Sequence, residues 1–419
     1  MNDDEEGEPP LLHAFGGYGI ELEYMLVDRS TLAVKPLADR LLHAAAGQPS
    51  NDVDRGLLGW SNELVLHVIE IKNQRPIASL SLLPEAFLDE VQYINGMLEK
   101  YDAQLMPTAM HPWMDPKRET RLWPHDNDAI YKAYARIFDS QSHGWANLQS
   151  MHINLPFADD REFARLHAAA RLVLPILPAL AASSPIANGA PTGWADYRMR
   201  VYCDNAEGFP AITGMVVPET ITSRAAYESR ILEPMYQAIA PQDPDGVLQH
   251  EWLNSRGAIA RFDRNAIEIR VIDTQESPRV DLAIAAAARS AIRSLYRAEH
   301  STLEAQQEMP TAALAKILQD CIREAERAVI TDANYLRLLG FPGNACDARE
   351  LWWHLVERMQ KDTAAQDPFW REPLRNILDH GPLARRILAA AGNAPSRGAI
   401  EAVYRELCGC LQEGRMFLP

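Results

Sequence analysis

Cysteine is scarce in this chain and poorly spaced for a structural role. The five cysteines, Cys203, Cys321, Cys346, Cys408 and Cys410, form no C-x-x-C pair, and only the last two lie close together. That argues against a disulfide framework or a thiolate zinc site and leaves buried thiols as the default. Positive charge is short as well: 41 Lys and Arg face 57 Asp and Glu, for a formal net charge of −16. Such a balance does not suit a phosphate-backbone binder, so no nucleic-acid partner is expected, although a local basic pocket for a small anion is compatible with it. No basic segment with an apolar core opens the sequence, and its alanine-rich stretches are broken by Arg, Pro or Ser before reaching membrane-spanning length. The expectation is a soluble, cytoplasmic protein with no membrane partner. Missing too are GxxxxGK[ST], GxGxxG and G-x-S-x-G, the loops of common nucleotide and hydrolase sites. "FGGYG" at 15–19 precedes a strand instead of following one, and reads as a flexible turn into it.

What is present is ordinary globular composition: 419 residues, 47% hydrophobic and 23% charged, enough for a large core. The opening "MNDDEEGEPP", residues 1–10, reads as a disordered acidic tail. Alternation predicts strands at 19–28, over "ELVLHVIEIK" (63–72), at "LMPTAM" (105–110), at "MHINLPF" (151–157), and at "AIARFDRN" and "AIEIRVIDTQ" joined by a tight Asp/Asn turn. Helical spacing is found at 38–47, 83–104, near 128–138, at 161–183 and at 280–300, with a loop at 184–202. That order of elements gives an α+β fold with a mainly antiparallel sheet and flanking helices. Residues 11–300 form the catalytic core, and 301–419, mostly helical, form the C-terminal part of the same unit.

The strands carry acid. In "GIELEYML" the alternation sets Glu21 and Glu23 on one face, roughly 7 Å apart along the chain. A lone E-x-E strand is most simply a solvated sheet face. Glu63 and Glu70 sit an odd number of positions apart, so a regular strand would point them to opposite faces unless a bulge or loop intervenes. "MHINL" puts His152 and Asn154 on one face, and "AIEIRVID" does the same for Glu268 and Arg270. Several acids on one sheet repel unless a cation relieves them, and a hard ion such as Mg²⁺ takes carboxylate oxygens while leaving room for phosphates. With a His in the set, Mn²⁺ would serve as well. Elsewhere, His67, His111, Trp113, Trp194 and Asp273 fit packing or turn-capping at least as well as a site.

Five stretches in order, "GIELEYMLVD", "HVIEIK", "MHINL", "SSPIANGAPTGWADYRMRVY" and "FDRNAIEIRVIDTQ", resemble glutamate–cysteine ligase family 2, the carboxylate-amine ligases of the glutamine synthetase-like superfamily. The resemblance spans roughly residues 15 to 295. It implies a curved antiparallel sheet with metal ligands on its inner face. It also implies ATP-dependent amide formation: ATP phosphorylates a carboxylate, classically the γ-carboxylate of glutamate, and an amine such as cysteine displaces phosphate. By motif matching, Glu21, Glu23, Glu63, Glu70, His152 and Glu268 fall at metal positions. Glu21, Glu70, His152, Asn154 and Arg270 fall at the nucleotide, with Arg270 on phosphate. Arg198, Arg200 and Arg270 are the candidate catalytic cations, because a guanidinium fork grips carboxylate or phosphate bidentately. ATP and Mg²⁺ are the implied cofactors, and a small amino acid and an amine the implied partners.

The chain departs from the family where many members carry H-x-H, reading "SMHIN", and where a Thr often follows the second-strand acid, reading "EIKNQ". Those departures bear on the amine. Two other functions suit the same scaffold: a phosphotransferase such as a guanidino-group kinase, and a non-catalytic binding protein. The first would give ADP with a phosphorylated product instead of free phosphate, and the second is opposed by the retained acids. No oligomeric state is written in the sequence, and a homodimer is compatible with it.

Overall fold

The computed structural model describes residues 11–126, 128–362 and 368–419, so the acidic opening segment lies outside the described residues. Eight strands make one antiparallel sheet: β1 Gly19–Asp28, β2 Asp52–Asp54, β3 Leu58–Asn62, β4 Val68–Asn73, β5 Ala103–Met106, β6 Ser150–Pro156, β7 Ala258–Arg261 and β8 Ala266–Asp273. Their order is β2-β3-β4-β1-β6-β8-β7, and β5 pairs with the far end of β1. The long β1 is therefore central, with neighbours on both edges.

One face of β1 is apolar by alternation. Ile20, Leu22, Tyr24 and Leu26 are fully buried in the main core. The helices Leu83–Leu98, Asp160–Val173 and Pro278–Tyr296 supply the rest of it through residues such as Phe87, Val91, Leu166, Leu282 and Ile292. The last helix is buried almost all round, from Leu282 through Ala288, as a central helix must be.

The other face of β1 is divided. Met25 and Val27 pack under the C-terminal helices Leu383–Ala391 and Arg397–Glu413, against Ile387, Ile400, Tyr404 and Leu407. Each such side chain contributes about 1.5–3 kcal/mol by leaving water. A buried pair, Arg386 Nη1 to Glu276 Oε1 at 2.5 Å, with a second bond to the Phe417 carbonyl, ties down the chain's end. Glu21 and Glu23 occupy the remaining half of that face.

Several boundaries differ from the alternation pattern. "ELVLHVIEIK" is not one strand: β3 ends at Asn62, a turn carries Leu64–His67, and β4 starts at Val68. The turn supplies the irregularity that Glu63 and Glu70 need to reach one side. The strand expected at 105–110 is β5, Ala103–Met106, because Asp102 takes a left-handed conformation (φ 51°) that ends the preceding helix early. The loop expected at 184–202 contains a short hairpin, Ile186–Ala187 with Ala190–Pro191, and the helix Tyr197–Tyr202, N-capped by the Asp196 carboxylate. The Asn265 turn (φ 49°) joins β7 and β8 as expected. In "FGGYG", Gly19 is fixed by its neighbour: a Cβ there would lie 2.9 Å from Asn154 Cβ across the ladder.

Candidate active site

The acidic half of β1 is the floor of a cleft of about 370 Å³. Strand register brings its acids together. Glu21 pairs across the ladder with Lys72 on one side and His152 on the other, and Glu23 with Glu70. Glu268 stands opposite Asn154. A register shift in β8 falls between Ile269 and Ile272, at Arg270 and Val271, a bulge of the kind that re-aims side chains beside sites. The face is not the solvated one that a lone E-x-E suggests, since Glu21, Glu23, Glu70 and Glu268 are all buried.

Each buried charge has a definable environment. Glu21 bonds His152 Nδ1 at 2.9 Å and accepts from Asn154 Nδ2 at 3.1 Å. Burial opposes its ionisation, but His152, Lys72 and Arg264 outweigh that and hold it down at about 2. His152 feels the reverse: burial works against its imidazolium, yet Glu21, Glu23 and Glu268 hold it up at about 9. Glu268 accepts from Arg270 Nε at 2.8 Å and Arg261 Nη1 at 3.0 Å, and these cations with His152 overcome burial to keep its carboxyl below the usual range. Arg270 also donates to the Asn254 carbonyl at 3.1 Å. Glu70 accepts from Ser61 Oγ at 2.7 Å and Lys72 Nζ at 2.5 Å.

Two acids are left without a cation of their own. Glu23 is bonded by Ser150 through N–H (2.7 Å) and hydroxyl (3.2 Å), with His152 Nε2 no nearer than 3.8 Å. Burial and neighbouring Glu70 raise it. Glu63 makes no side-chain hydrogen bond or ion pair among the described residues, and burial with the charges of Glu23 and Glu70 pushes it well above the carboxylate range. Donor atoms of Glu23, Glu63 and Glu70 lie within 4.8 Å of one another, as do those of Glu21, Glu70 and His152. An oxygen-rich set with unrelieved charge fits a hard divalent cation.

Not every expected residue belongs to the cleft. Arg200 does not line it. Its guanidinium pairs with Asp204 and lies over Trp194, 5.7 Å from the ring centroid, because the two residues from Arg198 to Arg200 turn the side chain about 200° round the helix. Arg198 does line the cleft, but its fork is already used. Nε meets Asp273 at 2.7 Å, and Nη1 and Nη2 meet the Arg270 carbonyl at 3.3 and 3.0 Å, all with the side chain 1% exposed. It is a buried clamp that fixes the bulge strand. Asn154 reaches the site only through Glu21, and its own side chain faces an adjoining cavity. His67 and His111 bond backbone carbonyls of Ala146 and Leu32 and are packed.

The alternation pattern missed Arg261 and the aromatic wall. Arg261 pairs with Ala266 in the β7–β8 hairpin, which makes Glu268 its diagonal neighbour. The tight turn in "ARFDRNAIE" carries that signal. Tyr131, Tyr134, Trp145, Tyr202 and Trp252 also line the cleft, from segments that strand periodicity does not reach.

A second cavity of about 550 Å³ adjoins the first, shares Glu21, Lys72 and Arg264 with it, and adds Asn73, Asn154 and Asp263. No helix among the described residues is long and apolar enough to cross a membrane.

The family profile described as glutamate-cysteine ligase family 2 (GCS2) matches residues 18–406. An uncharacterized protein of Archaeoglobus fulgidus is 31% identical over 402 residues, covering 96% of this chain and all (100%) of that one. A Bradyrhizobium sp. (strain ORS 278) protein, provisionally named glutamate–cysteine ligase 2, is 28% identical over 305 residues, covering 70% of this chain and 67% of the relative. Among solved structures, the glutamate–cysteine ligase of Francisella tularensis in complex with AMP superposes with a TM-score of 0.59, covering 96% of this chain and 90% of that one. At 12% identity, that likeness speaks to the fold. The profile match and the archaeal relative settle the family: the chain belongs to glutamate-cysteine ligase family 2 and is an ATP-dependent ligase.

Proposed function

We propose that this enzyme forms an amide between a carboxylate, with glutamate's γ-carboxylate as the leading donor, and an amine, through an acyl phosphate. The observation that carries the reading is the gathering of Glu21, Glu23, Glu63, Glu70 and Glu268 with Arg270 in one cleft. Phosphoryl transfer between anionic oxygens needs positioning and charge neutralisation more than a strong base. The adjoining cavity suits ATP, with its phosphates toward the shared Glu21, Lys72 and Arg264. Glu21, Glu70 and His152, and Glu23, Glu63 and Glu70, would hold Mg²⁺, which would neutralise the phosphates and order them. Arg270, re-aimed by the bulge, would bind the transferring phosphoryl group; the buried Arg198–Asp273 pair would keep its strand in place.

The test is phosphate release from ATP and Mg²⁺ with glutamate and a panel of amines, with product masses read in parallel. Amine-dependent release with the mass of the condensed pair supports the ligase. ADP with a phosphorylated guanidino product and no free phosphate would replace it with a phosphotransferase. Folded protein that turns over nothing and binds neither nucleotide nor metal would mark a scaffold without this chemistry.

A further inference from the structure

The cleft has two unlike walls. Its floor carries the acids and arginines; aromatic side chains complete the lining. Tyr131, Tyr134, Trp145, Tyr202 and Trp252 all line it, each half-buried and so presenting ring surface to the interior. The rings are held in place. Tyr134 contacts Trp145 at 5.1 Å and Trp252 at 5.8 Å between centroids, and buried Phe138 backs both Tyr134 (5.4 Å) and Trp145 (5.0 Å). Tilted rings packed against one another in this way form an apolar surface with large contact area.

Among the described residues, the five rings bring no cation of their own to the lining of the cleft. Most basic residues lining the cleft are partnered, Lys72 with Glu70, His152 with Glu21, Arg261 and Arg270 with Glu268, and Arg198 with Asp273, while half-exposed Arg264 comes no nearer to Glu21 than 3.8 Å, at the end of the cleft shared with the second cavity. Arg270 lies beside Tyr202 at the edge of the rings, and it is shared between Glu268 and the Asn254 carbonyl. A second substrate with a carboxylate beside its amine would have to place that charge against aromatic surface, with only Arg270, already held by Glu268, at its edge, which disfavours it. An ammonium on an apolar body meets the reverse: ring faces attract the cation before it loses its proton, and they bury the body.

Resting on the ligase reading, we infer that the acceptor is an arylalkyl or bulky alkyl monoamine without a carboxylate, and that cysteine is not its preferred partner. In the step itself, the free amine's nitrogen lone pair attacks the acyl carbon, the bond from that carbon to the phosphate oxygen breaks, phosphate leaves with the bonding pair, and the nitrogen sheds one proton. Tyr134, Trp145 and Trp252 are specificity-determining side chains in this account.

Hydroxylamine separates this inference from the reading beneath it, because so small a nucleophile traps an acyl phosphate without needing the wall. Hydroxamate formation is measured first, with ATP, Mg²⁺ and a panel of carboxylates headed by glutamate, and fixes the donor. With that donor, kcat/KM is compared for phenethylamine, tyramine, hexylamine, cysteine and glycine. The expected result is a preference of at least about tenfold for the aryl or alkyl monoamines over both amino acids. Trp145→Ala, and separately Trp252→Leu, should lower that preference by a comparable factor while the hydroxylamine rate falls much less. Hydroxamate together with equal or better use of cysteine overturns the inference alone. So do variants that lower all nucleophiles equally. No hydroxamate with any carboxylate overturns the ligase reading, and this inference falls with it.

Discussion

Glu23 lies directly across from Glu70 in the β1–β4 ladder, two carboxylates on neighbouring strands of one sheet. Like charges so placed destabilise a sheet. Lys72 and Ser61 attend to Glu70, whereas Glu23 has only Ser150 and a distant His152. The fold tolerates that arrangement at the centre of the sheet, and the family's chemistry gives a reason for keeping it.

Glu23→Gln should therefore separate stability from activity. Removing the charge without changing shape relieves the repulsion, so the metal-free protein gains about 1 kcal/mol, while ATP turnover falls by at least about 10²-fold. Thermal melting and an ADP assay on the same preparation check both halves. A variant less stable than wild type, or one fully active, would contradict this account of Glu23.

Glu268→Gln should behave in the opposite sense. Glu268 is 2% exposed and neutralises both Arg261 and Arg270. Losing its charge leaves the buried Arg270 without a carboxylate, while Arg261 keeps Asp263, and costs about 3 kcal/mol, seen as a lower denaturant midpoint together with lost turnover. An unchanged midpoint would mean the pairing carries no weight.

Arg198→Ala and Arg200→Ala, two positions apart, should diverge. The first leaves Asp273 buried and unpaired, at a cost of about 3 kcal/mol or more, and loses activity through Arg270's strand. The second removes a half-exposed pair with Asp204 and should leave kcat and KM within about twofold. Equal effects would return Arg200 to the site.

How legible was this in the sequence? Where alternation and burial agree, as in Ile20 to Leu26 and "MHINL", strand and face follow from period two alone. Glu21, Glu23, His152 and Glu268 are legible for that reason. Glu63 is not, because a turn at Leu64–His67 resets the phase and periodicity carries no information across a turn. Arg198 and Arg200 were legible as cations but not as roles: Asp273, 75 positions from Arg198, takes the first, and only the folded chain shows that. The aromatic wall comes from separate short helices, whose meeting no local pattern encodes.

Acid should weaken the fold through three packed histidines. Burial keeps His67 down at about 4, against its bond to the Ala146 carbonyl. Burial also holds His111 and His167 at about 3, with Arg171 adding to it at His167. In the unfolded chain they titrate near 6.5. Between those values the unfolded state binds more protons, so stability rises with pH there: the contribution is complete above about 6.5 and is lost as pH falls toward 3. At pH 5 each histidine accounts for up to about 2 kcal/mol. His152, raised to about 9, has the opposite sign: its contribution is complete below 6.5 and is lost as pH climbs through 9. His167, whose ring nitrogens have no partner, can be replaced cleanly. Urea midpoints of His167→Leu and wild type should be close at pH 7 and separate at pH 5, with the variant ahead because it loses less on acidification; identical pH dependence would exclude it.

Arg270→Lys should lower turnover by at least about 10²-fold with the fold intact, because a point charge cannot hold both Glu268 and a phosphoryl group as a fork does. Near-normal kinetics in that variant would take Arg270 out of the reaction.

The central claim is that a carboxylate oxygen of the donor attacks the terminal phosphorus of ATP in this cleft. The most direct measurement uses donor labelled with ¹⁸O in that carboxylate, ATP, Mg²⁺ and an accepted amine, with the released phosphate read by mass. The account predicts one ¹⁸O in each phosphate formed, alongside ADP and the amide. Phosphate without label, or label carried into AMP, would contradict it.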